Sequence, residues 1–234
     1  RMGDTPETQV FGLAIGVLNG LLVSYLGLHP VVATLGGLTL WRGVALLATN
    51  AATVGMGSVP EAVLDFGIGL RQVLFLPIHF YILAAVYLVC WAAAHTHAWG
   101  ERLFAVGGDE RAAFLAGIDV KRVRFIAHVV TGLGAALAGL MMLMRSGAAH
   151  GSDGNGLEFG ALTVVLLGGV SFQGGLGRMR GVLVALFFMS FLRNGLVLLK
   201  TPLYLQHMAS GILIVAALYI DSLLMRRTEM GKRA

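Results

Sequence analysis

The chain alternates long uncharged apolar stretches with short polar ones. Gln9 to Leu28 carries no charge, and a helix needs about 20 apolar residues to cross a bilayer core. Val31 to Asn50 is apolar apart from Arg42, and Val73 to Ala94 is uncharged but contains Pro77 and His79. Phe125 to Met144 and Leu203 to Ile220 are uncharged, the latter stopping at Asp221, and Gly181 to Leu199 is broken only by Arg193. These stretches predict about six spans. A further one, Phe159 to Val170, is too short to cross alone. It runs into Gly168-Gly169 and then Gly174-Gly175 and Gly177. It is predicted to be broken or re-entrant, because irregular backbone at membrane depth is tolerated only where protein or a water-filled cavity covers it. The expected fold is all-α: one polytopic transmembrane helical bundle over 1–234.

Composition strengthens that picture. Hydrophobic residues make up 57% of the chain and charged residues 12%, against about 25% charged in a soluble domain. Mean hydropathy is +0.81. Glycine is frequent in membrane helices, and small residues let helix backbones approach closely. Gly12, Gly16 and Gly20 recur every four residues, and Gly134 and Ala138 repeat the spacing; both sets are expected to pack helices. Cys90 is the only cysteine, so an intrachain disulfide is excluded.

The net charge of +5 is concentrated in a few segments, which fits the positive-inside rule better than nucleic-acid binding. Arg102, Arg111, Lys121, Arg122 and Arg124 lie between Trp99 and Arg124; Arg178 and Arg180 flank a glycine-rich turn; Arg226, Arg227, Lys232 and Arg233 lie in the tail, about 222–234. These three segments are expected on the cytoplasmic side. Within the 99–124 loop, Asp109 is suited to be an N-cap, Glu110 to the positive helix end, and Gly117 to a C-terminal stop. The helix between them spans about two turns, and helices this short need tertiary support. It carries Phe114 and Leu115. Either it docks into a partner groove or it lies on its own membrane domain.

The run "RLFAVGGDERAAFLAGIDVKRVRFIAHVVTGLGAALAGL" resembles the permeases of sugar-importing ABC transporters, the ribose, arabinose, xylose and galactose type. So do "PVVATLGGLTLWRGVALL" at Pro30 to Leu47, "VVLLGGVSFQGGLGRMRGVLV" at Val164 to Val184, and "LRNGLVLL" at Leu192 to Leu199. The similarity runs in order from about Val10 to Asp221. It implies a bacterial inner-membrane permease subunit with a cytoplasmic C-terminus. It implies three partners: a separate ATP-binding subunit, a second permease copy or paralogue, and an extracytoplasmic solute-binding protein. It also implies that Gly107, Gly108, Asp109, Glu110, Ala112, Ala113, Gly117 and Ile118 form the coupling region toward the ATP-binding subunit. One departure is that the family's usual Gly-Ile-Asp-Leu-Ser-type segment and upstream helices do not precede Gln9. About the first third of the usual length is therefore expected to be missing. Permeases for branched-chain amino acids, nucleosides or a furanosyl signalling molecule remain alternatives, as does an ion-coupled secondary transporter.

No Gly-x-x-x-x-Gly-Lys-Ser/Thr phosphate loop occurs, since "GGVSFQGGLGRMRG" lacks the Lys-Ser/Thr ending. ATP hydrolysis is thus expected in a partner, and no cofactor is expected. His95 and His97 stand two apart, on different helix faces, and make poor joint metal ligands. Arg42 and Arg193 are intramembrane charges, which are costly and point to a role; Arg193 has Glu158, a helix break or the interface as its options. Asn19 and Asn194 suit either hydrogen bonding to a polyhydroxylated solute or bonding between helices.

Overall fold

The computed structural model describes residues 5–55, 72–73, 76–172, 174–202, 204–206, 208–209, 211–217 and 219. The tail 222–234, and most of the loop between Val54 and Gln72, lie outside the described residues. Helices α1 (Thr5–Ser24) and α2 (Pro30–Ala48) come first, followed by the two-residue strands β1 (Val54–Gly55), β2 (Gln72–Val73) and β3 (Leu76–Pro77). Then come α3 (Ile78–His95), α4 (Ala98–Gly108), α5 (Glu110–Leu115) and α6 (Val120–Ser146). Strand β4 (Ala148–Ala149), α7 (Leu157–Leu167) and α8 (Met179–Leu198) follow, and an apolar helical segment runs over Tyr204–Ala217.

Among the described residues, α2, α3, α6 and α8 are each long and apolar enough to cross a membrane, and α7 and the apolar helical stretches Thr8–Ser24 and Tyr204–Ala217 are shorter. The protein is a polytopic helical membrane protein. Its helices expose large apolar side chains such as Val32, Leu47, Val89 and Leu198. In water a surface of that kind drives association; in hydrocarbon it is the side that meets lipid.

Local chemistry sets the helix ends. Pro30 occupies the first turn of α2, where its missing N–H costs nothing. At the other end Asn50 takes a left-handed φ of 49°, and the N–H of Ala51 donates to the carbonyl of Leu46 at 2.8 Å. Asn is one of the few residues that enters this region readily.

Three expectations are corrected here. In the stretch beginning at Val73, the described residues before Ile78 are not helical, because β2 and β3 pair antiparallel and Pro77 stands extended at the N-cap. The Trp99–Arg124 segment is not a loop with one short helix, since α4 precedes α5 and α6 begins at Val120. Hydropathy marks where a helix meets lipid, not where it starts. At about 1.5 Å per residue, the 27 residues of α6 outreach a core about 30 Å thick, so the turn holding Lys121, Arg122 and Arg124 projects. The third correction concerns the small residues of α6, described next.

The chain forms two compact units. The first takes in Arg1–Leu103 and Ala113–Asp153, and its largest helix interface is α1 on α6. Gly12, Gly16 and Gly20 form the seam as expected. A Cβ on Gly16 would stand 2.9 Å from the carbonyl oxygen of His128 and 3.2 Å from Cα of Gly132, and one on Gly20 would stand 2.8 Å from the Phe125 ring. The partners on α6 are Gly132 and Ala136, not Gly134 and Ala138. Gly134 has open space around it, and Ala138 is exposed. Tyr25 closes one end edge-on to Phe125, with ring centroids 6.0 Å apart. Strands β1 and β4 pair antiparallel, Val54 with Ala149 and Gly55 with Ala148.

The second unit takes in Phe104–Ala112 and Gly154–Ala234. Its frame is the hairpin of α7 and α8, with Leu166, Ala185 and Met189 buried. Thr163 is fully buried, and its hydroxyl donates to the carbonyl of Phe159 at 2.7 Å, so no polar group is left orphaned there. At about 1.5 Å per residue, the 11 residues of α7 reach roughly half-way across a core of about 30 Å. The short stretch is therefore a half-length helix followed by irregular backbone.

Candidate functional site

The helix α5 owes its existence to its two ends. Oδ1 of Asp109 accepts from the backbone N–H of Arg111 at 2.9 Å and of Ala112 at 3.0 Å, which satisfies donors that would otherwise face no partner. Glu110 occupies the first turn, where negative charge is favoured. At the other end Gly117 has φ +81°. The N–H of Ile118 donates to the carbonyl of Ala113, and that of Gly117 to the carbonyl of Phe114, each at 3.0 Å. This double closure needs a left-handed residue, which favours glycine. Ala112 is exposed and Ile118 half-buried.

With both ends fixed, α5 sorts its side chains. Ala113 is only 4% exposed, whereas Phe114 is 69% and Leu115 is 78% exposed. Two adjacent large apolar groups are thus exposed on a capped helix, with Arg111 on the same helix and Lys121 and Arg122 shortly after it in the sequence. One residue went unread in the sequence. Asp119 caps α6, its Oδ1 accepting from the N–H of Arg122 at 3.0 Å. An Asp immediately before a helical run is the signal that marks it.

The glycine-rich break is the second element. Helix α7 ends at Gly168, with Gly169 left-handed at φ +79°. The N–H of Val170 donates to the carbonyl of Val165 at 3.2 Å, and that of Gly169 to the carbonyl of Leu166 at 2.9 Å. The backbone then folds back on itself: the N–H of Ser171 donates to the carbonyl of Leu176 at 2.9 Å, and that of Gly174 to the carbonyl of Ser171 at 3.1 Å. Gly174 and Gly175 have φ of +95° and +72°. Gly177 lies against the side chain of Val170, 3.1 Å from where its Cβ would be.

In the second unit the break meets the end of α4, just before the Asp109 cap. A Cβ on Gly107 would stand 2.7 Å from the backbone nitrogen of Gly175, and one on Gly174 would stand 2.6 Å from the carbonyl oxygen of Gly107. Gly108 and Gly175 touch through their backbones as well. The same unit holds a second close approach, where a Cβ on Gly168 would stand 2.6 Å from Cα of Val182 at the start of α8. Glycines predicted as two separate features thus form one continuous backbone contact.

The polar candidates are placed less compactly. Arg193 borders a groove of about 470 Å³ between α7 and α8, together with Gly160, Ala161, Leu186 and Ser190. Its Nη2 atom lies 2.9 Å from where a Cβ on Gly160 would be. Of its options, the ion pair with Glu158 is not formed among the described residues. Asn194 is exposed on α8. Arg42 is half-buried on α2. Asn19 belongs to the first unit; its Oδ1 is buried without a hydrogen-bond partner among the described residues and faces Gly37 of α2, 3.4 Å from its Cβ position. Among the described residues no three His, Cys, Asp or Glu side chains are grouped to hold a metal ion.

Residues 6–218 match the family described as branched-chain amino acid transport system / permease component. The ribose import permease protein RbsC of Escherichia coli strain K12 is 35% identical over 211 residues, 90% of this chain and 66% of that protein. The D-allose transport system permease protein AlsC of the same strain is 34% identical over 213 residues, 91% of this chain and 64% of that protein. The autoinducer 2 import system permease protein LsrD of Photorhabdus luminescens is 30% identical over 217 residues, 91% of this chain and 64% of that protein. The chain thus spans somewhat under two-thirds of the length of these relatives. No solved structure matches it.

Proposed function

This chain belongs to the branched-chain amino acid transport system / permease component family, and we propose that it is the membrane-spanning permease subunit of an ATP-driven importer for a monosaccharide or sugar-like solute. The observation that carries the solute class is its similarity to proteins named for ribose and D-allose. The translocation pathway runs between its helices, and ATP hydrolysis belongs to a separate subunit. The capped helix α5 is the docking element for that subunit, with Phe114 and Leu115 entering an apolar groove and the basic residues forming the rim. Gly107, Gly108, Asp109, Glu110, Ala112, Ala113, Gly117 and Ile118 build and hold it. The ends bearing α5 and the Arg178 turn face the cytoplasm of a bacterial inner membrane, as does the C-terminus. The contact of Gly107 with Gly174 supports placing these two basic segments on one side. A second permease copy or paralogue and an extracytoplasmic solute-binding protein complete the importer, and that soluble partner selects most of the solute specificity. Asn19 and Asn194 are the candidates for meeting solute hydroxyls.

Proteoliposomes holding the permease and its partner subunits test this reading. ATP-dependent uptake of labelled ribose or allose is the expected result. Uptake of leucine or isoleucine instead would favour the branched-chain solutes in the family's description. Uptake that persists without ATP and collapses with the ion gradient would overturn the importer reading.

A further inference from the structure

We propose that Gly107 and Gly108 on α4 form, with Gly174 and Gly175 in the glycine-rich break, a side-chain-free clasp that carries displacement of α5 into the hairpin of α7 and α8. The inference rests on the importer reading and adds the route by which the docking helix acts. The clasp sits immediately before the Asp109 cap, so any movement of the cap moves Gly107 and Gly108. Across the contact, backbone meets backbone: Gly175 N is 2.7 Å and Gly175 Cα 3.3 Å from the Cβ position of Gly107. Side chains give way by changing rotamer, whereas two touching backbones have no such slack, and packed protein is weakly compressible.

Beyond the contact, the break is braced to both helices of the hairpin. The hydrogen bonds of Ser171 with Leu176 and of Gly174 with Ser171 tie the loop together. The closure at Gly169 joins it to the end of α7, and Gly168 abuts Val182 of α8. A push on Gly107 therefore reaches both helices without crossing a flexible side chain. The positive φ values of Gly174 and Gly175 allow the close approach, because a residue with a Cβ is disfavoured there. Gly107 and Gly139 are both helical, so alanine favours the helix at each. Alanine at 107 collides with Gly175, whereas at 139, on α6 and outside the clasp, nothing lies within 4 Å of the Cβ position.

The full transporter in proteoliposomes is assayed for solute moved per ATP hydrolysed. Gly139→Ala is expected to keep this ratio. Gly107→Ala is expected to lower it about tenfold, a usual coupling factor between sites, while still retaining the ATP-binding subunit on purification. Equal ratios in the two variants overturn the clasp. A second measurement needs no change at the clasp. Spin labels on Arg111→Cys and Leu176→Cys, in a Cys90→Ser background, should keep a constant separation with and without nucleotide. A separation that changes through the cycle overturns the inference. No ATP-driven transport by the unaltered complex would overturn the importer reading, and the clasp with it.

Discussion

Replacing Gly132 by alanine isolates the packing of α1 on α6. A Cβ there would stand 2.5 Å from the carbonyl oxygen of Gly12, 2.7 Å from Cα of Gly16 and 3.0 Å from its nitrogen. Every obstructing atom is backbone, so no rotamer change relieves the clash and α1 must move away. Forcing extra atoms into a well-packed contact costs about 1–3 kcal/mol. Gly134, two residues along the same helix, has nothing within 4 Å of its Cβ position. Alanine there keeps only the propensity advantage over glycine, up to about 1 kcal/mol. Both sites lie within α6, so that advantage is common to the two variants, and they should differ by about 1–3 kcal/mol in the free energy of unfolding. Detergent titration in mixed lipid micelles, followed by circular dichroism or tryptophan fluorescence, reads the difference as a shift of the midpoint. Gly132→Ala should unfold at clearly lower detergent, and Gly134→Ala at or above the unaltered midpoint. Equal midpoints, or the reverse order, would show that the seam does not run through Gly132.

Removing the α5 cap with Asp109→Ala should cost about 1 kcal/mol of local stability and reduce recovery of the ATP-binding subunit on co-purification. Asp109→Asn, which retains a capping oxygen, should restore recovery, and equal losses from both would refute the capping account. In the α7–α8 hairpin, Gly160→Ala should be tolerated because its nearest neighbour is the movable guanidinium of Arg193. Gly168→Ala meets the backbone of Val182 at 2.6 Å and should lower the thermal midpoint of the purified protein; similar midpoints for the two would contradict this packing.

Much of the membrane fold was legible in the sequence because lipid imposes a simple rule: an uncharged stretch of sufficient length becomes a helix with its backbone satisfied internally. The half-length α7 was legible for the same reason, since Phe159 to Val170 is too short and glycines follow it. The caps of α5 were also legible, because Asp109 and Gly117 act through local backbone chemistry. Helix starts outside the membrane were not, and α6 begins at Val120, ahead of the basic residues Lys121, Arg122 and Arg124. The pairing of small residues was half legible. Spacing put Gly12, Gly16 and Gly20 on one face, yet spacing alone could not tell Gly132 from Gly134 on the opposing helix. That choice depends on the rotation of α6 about its axis, which only tertiary packing fixes. The clasp was illegible for a similar reason: Gly107 and Gly174 are distant in sequence, and nothing local couples them.

The seam of Gly12, Gly16 and Gly20 also has a thermal consequence. Contacts between helices in a bilayer replace contacts with lipid chains, not with water. Opening this seam hydrates no apolar surface, and hydration is what gives the unfolding of soluble proteins its large heat capacity. The attraction between α1 and α6 is therefore dispersion between close backbones, whose strength does not fade on cooling as water-driven burial does. A seam of this kind keeps its grip across the whole range of temperatures over which the surrounding bilayer stays fluid.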